Sequence, residues 1–142
     1  MDANLRRTII LEHYQNPKNR GLVDDDSYIY INMNNESCID EINLLVKVEN
    51  EIIKDIRFDG EACAICTSST SIMIETLIGK TLDEARKILF NFLNMIDEKE
   101  YDAAILEQAI VYEDISKQAN RKKCALLPWW GIEKIVNELN NK

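Results

Sequence analysis

The chain has 142 residues, of which 25 are acidic and 17 basic, so its formal net charge is −8 at neutral pH. This length is sufficient for a hydrophobic core and predicts one domain over residues 1–142. The negative charge disfavours nucleic-acid binding, because a phosphate backbone would repel the chain as a whole. No uncharged apolar run approaches the roughly 18 residues that a membrane span needs, so we expect a cytoplasmic protein without a membrane partner.

The N-terminal residues predict a helix that ends in a turn. Residues 3–15 place Leu5 and Ile9 on one face, which is typical of an amphipathic helix. Pro17 cannot continue the helix, because it has no backbone N–H and a restricted φ angle. The one histidine, His13, is interpreted as a surface or packing residue rather than a ligand. Any metal site must therefore be built from thiolates and carboxylates.

Three runs of β-forming residues follow and predict an antiparallel meander. The first covers residues 28–33, the second alternates in polarity from Ile42 to Val48, and the third extends from Ile52 to Phe58. One face of such a sheet is apolar and must be covered by helices. The pattern predicts an α+β fold, in which a three-stranded antiparallel sheet is covered on one face by about four to six helices.

The remaining sequence supplies those helices. Residues 70–78 carry apolar side chains at i, i+4 spacing and predict the first covering helix. A second helix begins after the capping-box pattern Thr81-Leu-Asp-Glu84 and continues to Ile96. Residues 97–120 are acidic and weakly periodic, which indicates an inserted short helix and loop. The last helix is predicted to begin near Cys124.

Cys63 and Cys66 lie between the third predicted strand and the first covering helix. A helix N-terminus stabilises negative charge, so this position is expected to lower a thiol pKa and favour thiolate. In a reducing compartment, four cysteines indicate metal ligands or reactive thiols rather than disulfides. The alternative is that both side chains are simply buried.

Three cysteines fall on elements that can converge. Cys38 is on a strand-flanking loop, Cys63 at a strand-to-helix junction and Cys124 at the start of the last helix. Three thiolates leave one position on a tetrahedral zinc ion, and Asp40 is the nearest carboxylate able to fill it. Cys66 is the rival fourth ligand, since a Cys-x-x-Cys pair is frequent in zinc sites. The spacing alone leaves both alternatives open.

Four segments carry a resemblance to a known family. They are Tyr14 to Gly21, Cys38 to Asp40, Gly60 to Ile65 and Arg121 to Leu126. In this order they resemble the iron–sulfur cluster assembly scaffolds of the IscU/NifU N-terminal type, over nearly the whole chain. Lys123 before the third cysteine and the insertion at residues 97–120 make the chain more similar to the SufU branch.

The resemblance implies an iron–sulfur cluster assembly protein that takes persulfide sulfur from a cysteine desulfurase at a zinc site, scaffolds a nascent cluster, or does both. The implied metal ligands are Cys38, Asp40, Cys63 and Cys124. The first of these cysteines, Cys38, is the implied catalytic acceptor, and zinc and a transient iron–sulfur cluster are the implied cofactors. The protein would act with its desulfurase, and with other cluster-assembly or acceptor proteins, rather than as a stand-alone enzyme.

Two basic residues beside the third cysteine have two interpretations. Arg121 and Lys123 are expected to offset the negative charge of the thiolates. The alternative is a solvated patch at the start of the helix.

Several residues depart from the family pattern. Ile39 and Ala62 stand where glycine is usual and should stiffen their loops, because a Cβ atom restricts the backbone. Pro128 falls in the first turns of the last predicted helix. Cys66 stands where serine is usual, so the resemblance gives it no role.

Two other functions remain open. One is a zinc-stabilised adaptor that binds a partner and carries no sulfur. The other is a dithiol oxidoreductase that uses Cys63 and Cys66, although thioredoxin-like motifs accompany βαβ units rather than a meander. A ferredoxin-type cluster is disfavoured, because it needs three clustered cysteines.

Overall fold

The computed structural model describes residues 1–35 and 39–140. The elements of this part are α1 (Ala3–Gln15), β1 (Ile29–Asn34), β2 (Glu41–Glu49), β3 (Ile52–Glu61), α2 (Ala64–Leu77), α3 (Leu82–Ile96), two 3-10 helices (Ala103–Tyr112, which is kinked at Glu107, and Ile115–Lys117) and α4 (Ala119–Asn140). The strands form one antiparallel sheet in the order β1-β2-β3, so the predicted α+β architecture is confirmed. None of the described helices is long and apolar enough to cross a membrane.

The sheet has one apolar face and one mainly polar face, as the alternation predicts. On β2, the side chains of Ile42, Leu44 and Val46 are almost completely buried against the helices. On the opposite face, the Asn43 side chain accepts a hydrogen bond from Asn32 at 2.8 Å and donates one to Asp59 at 3.0 Å. The helices therefore cover a single face of the sheet.

Helix α2 is the centre of the fold, and it begins earlier than predicted. The predicted helix over 70–78 extends in the structure from Ala64 to Leu77. Residues 66–71 are cysteine, serine and threonine, which have weak helix propensity and no apolar periodicity. They are nevertheless buried, because their hydroxyl groups find acceptors within the fold, as Thr70 does on the Cys66 carbonyl at 2.8 Å.

Three serines of α2 each bond a different neighbouring element. Their partners are the Tyr112 hydroxyl in the first 3-10 helix for Ser68, the Ala125 carbonyl in α4 for Ser69 and His13 in α1 for Ser71. The imidazole of His13 is buried, and its second nitrogen lies 2.8 Å from Gln108 Oε1. His13 is thus a packing residue of the core, one of the two roles expected for it.

The C-terminal half differs from the prediction mainly in helix boundaries. The capping box of Thr81 and Glu84 is confirmed at the start of α3. Helix α4 begins at Ala119, five residues before Cys124. The sequence pattern does not show this earlier start, because the first turn is polar and exposed and lacks an apolar period. Pro128 therefore lies in the helix interior and not in its first turns. Between α3 and α4, residues 97–118 contain 3-10 helices and turns, where one short helix and a loop were predicted.

Candidate metal centre

Three side chains from distant parts of the sequence meet at one end of the sheet. Asp40 precedes β2, Cys63 is the N-cap of α2, and Cys124 lies in the second turn of α4. One ligand atom from each lies within 4.8 Å of the other two. No second group of three such side chains occurs within residues 1–35 and 39–140. Asp40, Cys63 and Cys124 could therefore hold a metal ion.

The register of β2 and β3 brings Asp40 to Cys63. Glu41 pairs with Glu61 and Ile42 pairs with Gly60, so the start of β2 and the end of β3 lie side by side. Gly60 has a φ of +126°, and a Cβ atom there would lie 2.1 Å from the Glu41 carbonyl oxygen. Only glycine permits this approach. In the sequence, Gly60 stands out only as part of the motif from Gly60 to Ile65, although a glycine in a strand often marks close backbone contact.

The Asp40 carboxylate is fixed by one of its oxygens. Asp40 is 1% exposed, and Oδ1 accepts a hydrogen bond from the Cys63 backbone N–H at 2.7 Å. The second oxygen, Oδ2, lies 3.7 Å from Cys63 Sγ. One oxygen thus holds the carboxylate in place, while the other faces the thiols as a single donor atom.

Cys63 is half-buried, and its thiol caps α2. Its Sγ accepts the backbone N–H of Cys66 at 3.4 Å, as expected for a helix N-terminus. Burial nevertheless raises the pKa of the Cys63 thiol, and the N–H of Cys66 offsets this only in part, while the Asp40 charge raises it further. For Cys63, the expectation of a lowered pKa is therefore wrong in the metal-free chain. A coordinated cation would reverse the balance, because it deprotonates a thiol ligand.

Cys124 is more deeply buried than Cys63. Burial raises the pKa of its thiol strongly, and Asp40 and Cys63 add to the effect. Arg121 and Lys123 are exposed in the first turns of α4. Their proposed role toward the thiolates stays a prediction.

The two remaining cysteines, Cys38 and Cys66, are not among the three residues that meet at this site. Cys38, the predicted acceptor and fourth ligand, lies outside the described residues. Cys66 is fully buried in the core and is not part of the three-residue group. Two thiols and one carboxylate are donors that suit zinc. The complete ligand set of Cys38, Asp40, Cys63 and Cys124 stays a prediction.

We expect the Asp40→Ala variant to fold but to release zinc at least about tenfold faster than the wild type. The change removes the predicted oxygen ligand as well as the acceptor for the Cys63 N–H. Zinc release to a chromogenic chelator measures the effect. Glu41→Ala is the matched control, because it removes an exposed carboxylate next in the chain. If Asp40→Ala equalled the wild type in metal exchange and sulfur acceptance, Asp40 would not be a ligand.

The Cys66→Ser variant should keep its zinc content and its sulfur acceptance near wild-type values. The Cys66 side chain packs in the core outside the group of three, so the change removes none of the predicted metal donors. Its cost is to the stability of the fold, about 1 to 3 kcal/mol if the buried hydroxyl finds no hydrogen-bond partner. Elemental analysis and a desulfurase assay test this expectation. Loss of zinc from Cys66→Ser, together with a silent Asp40→Ala, would instead indicate four cysteine ligands.

Comparison with known proteins gives a consistent set of relatives. The chain matches the family model described as NifU-like N terminal domain over residues 6–125. It is 38% identical to the zinc-dependent sulfurtransferase SufU of Bacillus subtilis over 133 residues, which are 93% of this chain and 89% of that protein. It is also 31% identical to the iron–sulfur cluster assembly scaffold protein IscU of Thermotoga maritima over 131 residues, which are 92% of each chain.

Solved structures extend this similarity to the fold. A crystal structure from Fervidobacterium islandicum AW-1, described as an iron–sulfur cluster assembly scaffold for the SUF system, superimposes with a TM-score of 0.84. That protein is 35% identical, and the match covers 88% of this chain and 91% of the other. The N-terminal part of a nitrogen-fixing NifU-like protein from Brucella abortus is 19% identical with a TM-score of 0.81, which shows a shared fold alone.

Proposed function

Because this chain belongs to the family of NifU-like N-terminal domains, we propose that it is an iron–sulfur cluster assembly protein that accepts sulfur from a cysteine desulfurase at a zinc-bound cysteine site. The observation that carries the proposal is the convergence of Asp40, Cys63 and Cys124 at one end of the sheet. Similarity to a zinc-dependent sulfurtransferase over 93% of the chain supports the same chemistry.

The proposed zinc ligands are Cys38, Asp40, Cys63 and Cys124. Bound zinc would keep the thiolates deprotonated at neutral pH, which the protein alone does not do for Cys63 or Cys124. The donor set also suits a site that exchanges a ligand, because one oxygen among sulfurs is less closed than a structural site of four thiolates.

The three residues of the site differ in how far they are exposed to solvent. Asp40 and Cys124 are buried and held by the fold, whereas Cys63 is partly exposed. Asp40 orients the Cys63 backbone through Oδ1 and leaves Oδ2 for the centre. The buried donors thus retain the site's shape while a partner protein approaches.

Sulfur transfer in this proposal takes place at Cys38. The Cys38 thiolate attacks the outer sulfur of the persulfide on the desulfurase cysteine. The sulfur–sulfur bond of that persulfide breaks, a new one forms on Cys38, and the desulfurase cysteine leaves as thiolate. The proton of the persulfide remains on the transferred sulfur, so atoms and charge balance. We propose the exposed Arg121 and Lys123 as supporting residues at the edge of this site.

A second candidate function is assembly of a nascent cluster on the same residues. It is favoured by the 31% identity to an iron–sulfur cluster assembly scaffold over 92% of each chain. The dithiol oxidoreductase is not favoured, because Cys66 is fully buried and cannot meet an outside disulfide. The adaptor without sulfur chemistry is not favoured either, since the sulfurtransferase similarity covers nearly the whole chain.

We also propose the wider context of the chain. Residues 1–142 would act as one domain, with 97–120 as an insertion of the SufU type. The buried Tyr112 of that segment bonds Ser68 in α2, which supports its place in the same unit. A cytoplasmic location fits thiols that must stay reduced, and other cluster-assembly or acceptor proteins would be the further partners.

Metal analysis and a sulfur-transfer assay on the purified chain test the proposed function together. Tightly bound zinc with persulfide formation in the presence of a cysteine desulfurase supports the acceptor. Labile iron with sulfide supports the scaffold instead. Zinc without any sulfur acceptance would indicate the adaptor and contradict the proposal.

A further inference from the structure

The buried hydroxyl of Ser69 joins the two helices that carry Cys63 and Cys124. Ser69 Oγ donates to the Ala125 carbonyl oxygen at 2.6 Å, and Trp129 Nε1 donates to the same Oγ at 3.0 Å. Ser69 lies in α2, and Ala125 directly follows Cys124 in α4. The side chains of Ser69 and Trp129 are fully buried, so water does not compete for these bonds.

The turn of α4 after Cys124 needs such support because of Pro128. Proline has no backbone N–H, so the Cys124 carbonyl lacks the helical hydrogen bond that residue 128 would otherwise donate. The proline ring also crowds that carbonyl, which weakens or bends the helix. The next carbonyl along is Ala125, and this is the one that Ser69 holds from α2. A donor outside the helix thus fixes its backbone beside the weakened bond.

Apolar packing alone would hold α4 less precisely. The Trp129 ring stacks on Phe92 of α3, with ring centroids 4.0 Å apart and planes 9° from parallel. Stacked rings can slide with little loss of contact, whereas hydrogen bonds depend steeply on distance and angle. Metal–ligand distances tolerate only about 0.2 Å of error. A small shift of α4 along α2 would therefore separate Cys124 from Cys63 and Asp40.

We propose that Ser69 is a positioning residue of the metal centre, which sets the location of Cys124 relative to Cys63 and Asp40 through its bonds to Ala125 and Trp129. The inference rests on the proposed zinc site and does not depend on sulfur transfer.

The Ser69→Ala variant tests the inference against Ser68→Ala as the matched control. Ser68 is the neighbouring residue of α2 and is equally buried, but its hydroxyl bonds Tyr112 and not α4. Zinc affinity is measured by competition with a chromogenic chelator, and Co²⁺ loaded in place of zinc reports ligand geometry through its visible spectrum. Urea unfolding of the metal-free proteins measures stability separately.

We expect Ser69→Ala to lose about tenfold or more in zinc affinity and to show a changed cobalt spectrum. Ser68→Ala should lose comparable stability while its zinc affinity stays within about twofold of wild type. A merely structural role for Ser69 would lower stability in both variants and leave the affinity and spectrum of the folded protein unchanged. That result would overturn the inference.

Trp129→Phe provides the test if Ser69→Ala does not fold. This variant keeps an aromatic ring against Phe92 but removes the N–H that Ser69 accepts. We expect a smaller loss of zinc affinity in the same direction, and an unchanged affinity would count against the inference. A wild-type chain that binds no zinc would reject the proposed function and this inference together. Tight wild-type zinc with an unaffected Ser69→Ala would reject the inference alone.

Discussion

The Cys38→Ala variant is expected to accept no sulfur from a cysteine desulfurase, while it still binds that enzyme. The Cys38 thiolate is the proposed nucleophile, so its removal leaves no atom in that position onto which the sulfur can transfer. Desulfurase binding should persist, because the docking surface extends well beyond one side chain. The rate of alanine release from cysteine measures the turnover of the desulfurase. Mass spectrometry measures whether the chain carries a persulfide.

The Cys66→Ser variant is the control for the sulfur-acceptance experiment. Cys66→Ser also removes one thiol and should behave as wild type, since Cys66 lies buried in the core. Persulfide on Cys63 or Cys124, with Cys38 unmodified, would contradict the assignment of the acceptor.

Removal of zinc should lower the stability of the fold by about 4 kcal/mol when zinc is at a thousandfold excess over its dissociation constant. For a chain of this size the melting temperature should fall by roughly 10 °C. A metal ion bound by Asp40, Cys63 and Cys124 would link the start of β2 to α2 and α4. Metal that binds only the folded chain adds its binding free energy to the stability of the fold. Thermal unfolding with and without a chelator measures the difference.

Cys124→Ser is the control for the chelation experiment. It removes one donor from the centre, so a chelator should change its melting temperature much less than that of the wild type. A metal-free protein, purified without chelator, that melts like the zinc-loaded form would contradict the prediction.

Local patterns predicted most of the elements. The second strand alternates in polarity from Ile42 to Val48, and Ile42, Leu44 and Val46 of this run are buried on one face of β2 in the structure. The capping box at Thr81 and Glu84 places the start of α3 correctly. Such signals involve residues within a few positions of each other, so the sequence contains all the information they need.

Tertiary contacts decided the elements that local patterns missed. Residues 67–71 of α2 are serine and threonine, which are typical of exposed or capping positions. They are helical and buried because hydroxyl groups such as that of Ser69 bond neighbouring elements. The thiol pKa of Cys63 was mispredicted for a related reason: burial by the surrounding fold outweighs the helix N-terminus.

The sequence by itself predicted that three cysteines and one aspartate can converge, and the structure brings Asp40, Cys63 and Cys124 together. The sequence did not determine whether Asp40 or Cys66 would lie with Cys63 and Cys124. The structure places Asp40 there, because the register of β2 and β3 brings its carboxylate to the Cys63 backbone, whereas Cys66 lies one turn further along α2 and is buried in the core. That choice depends on strand register and on the rotation of α2 against α4, and both are properties of the packed fold rather than of residue spacing.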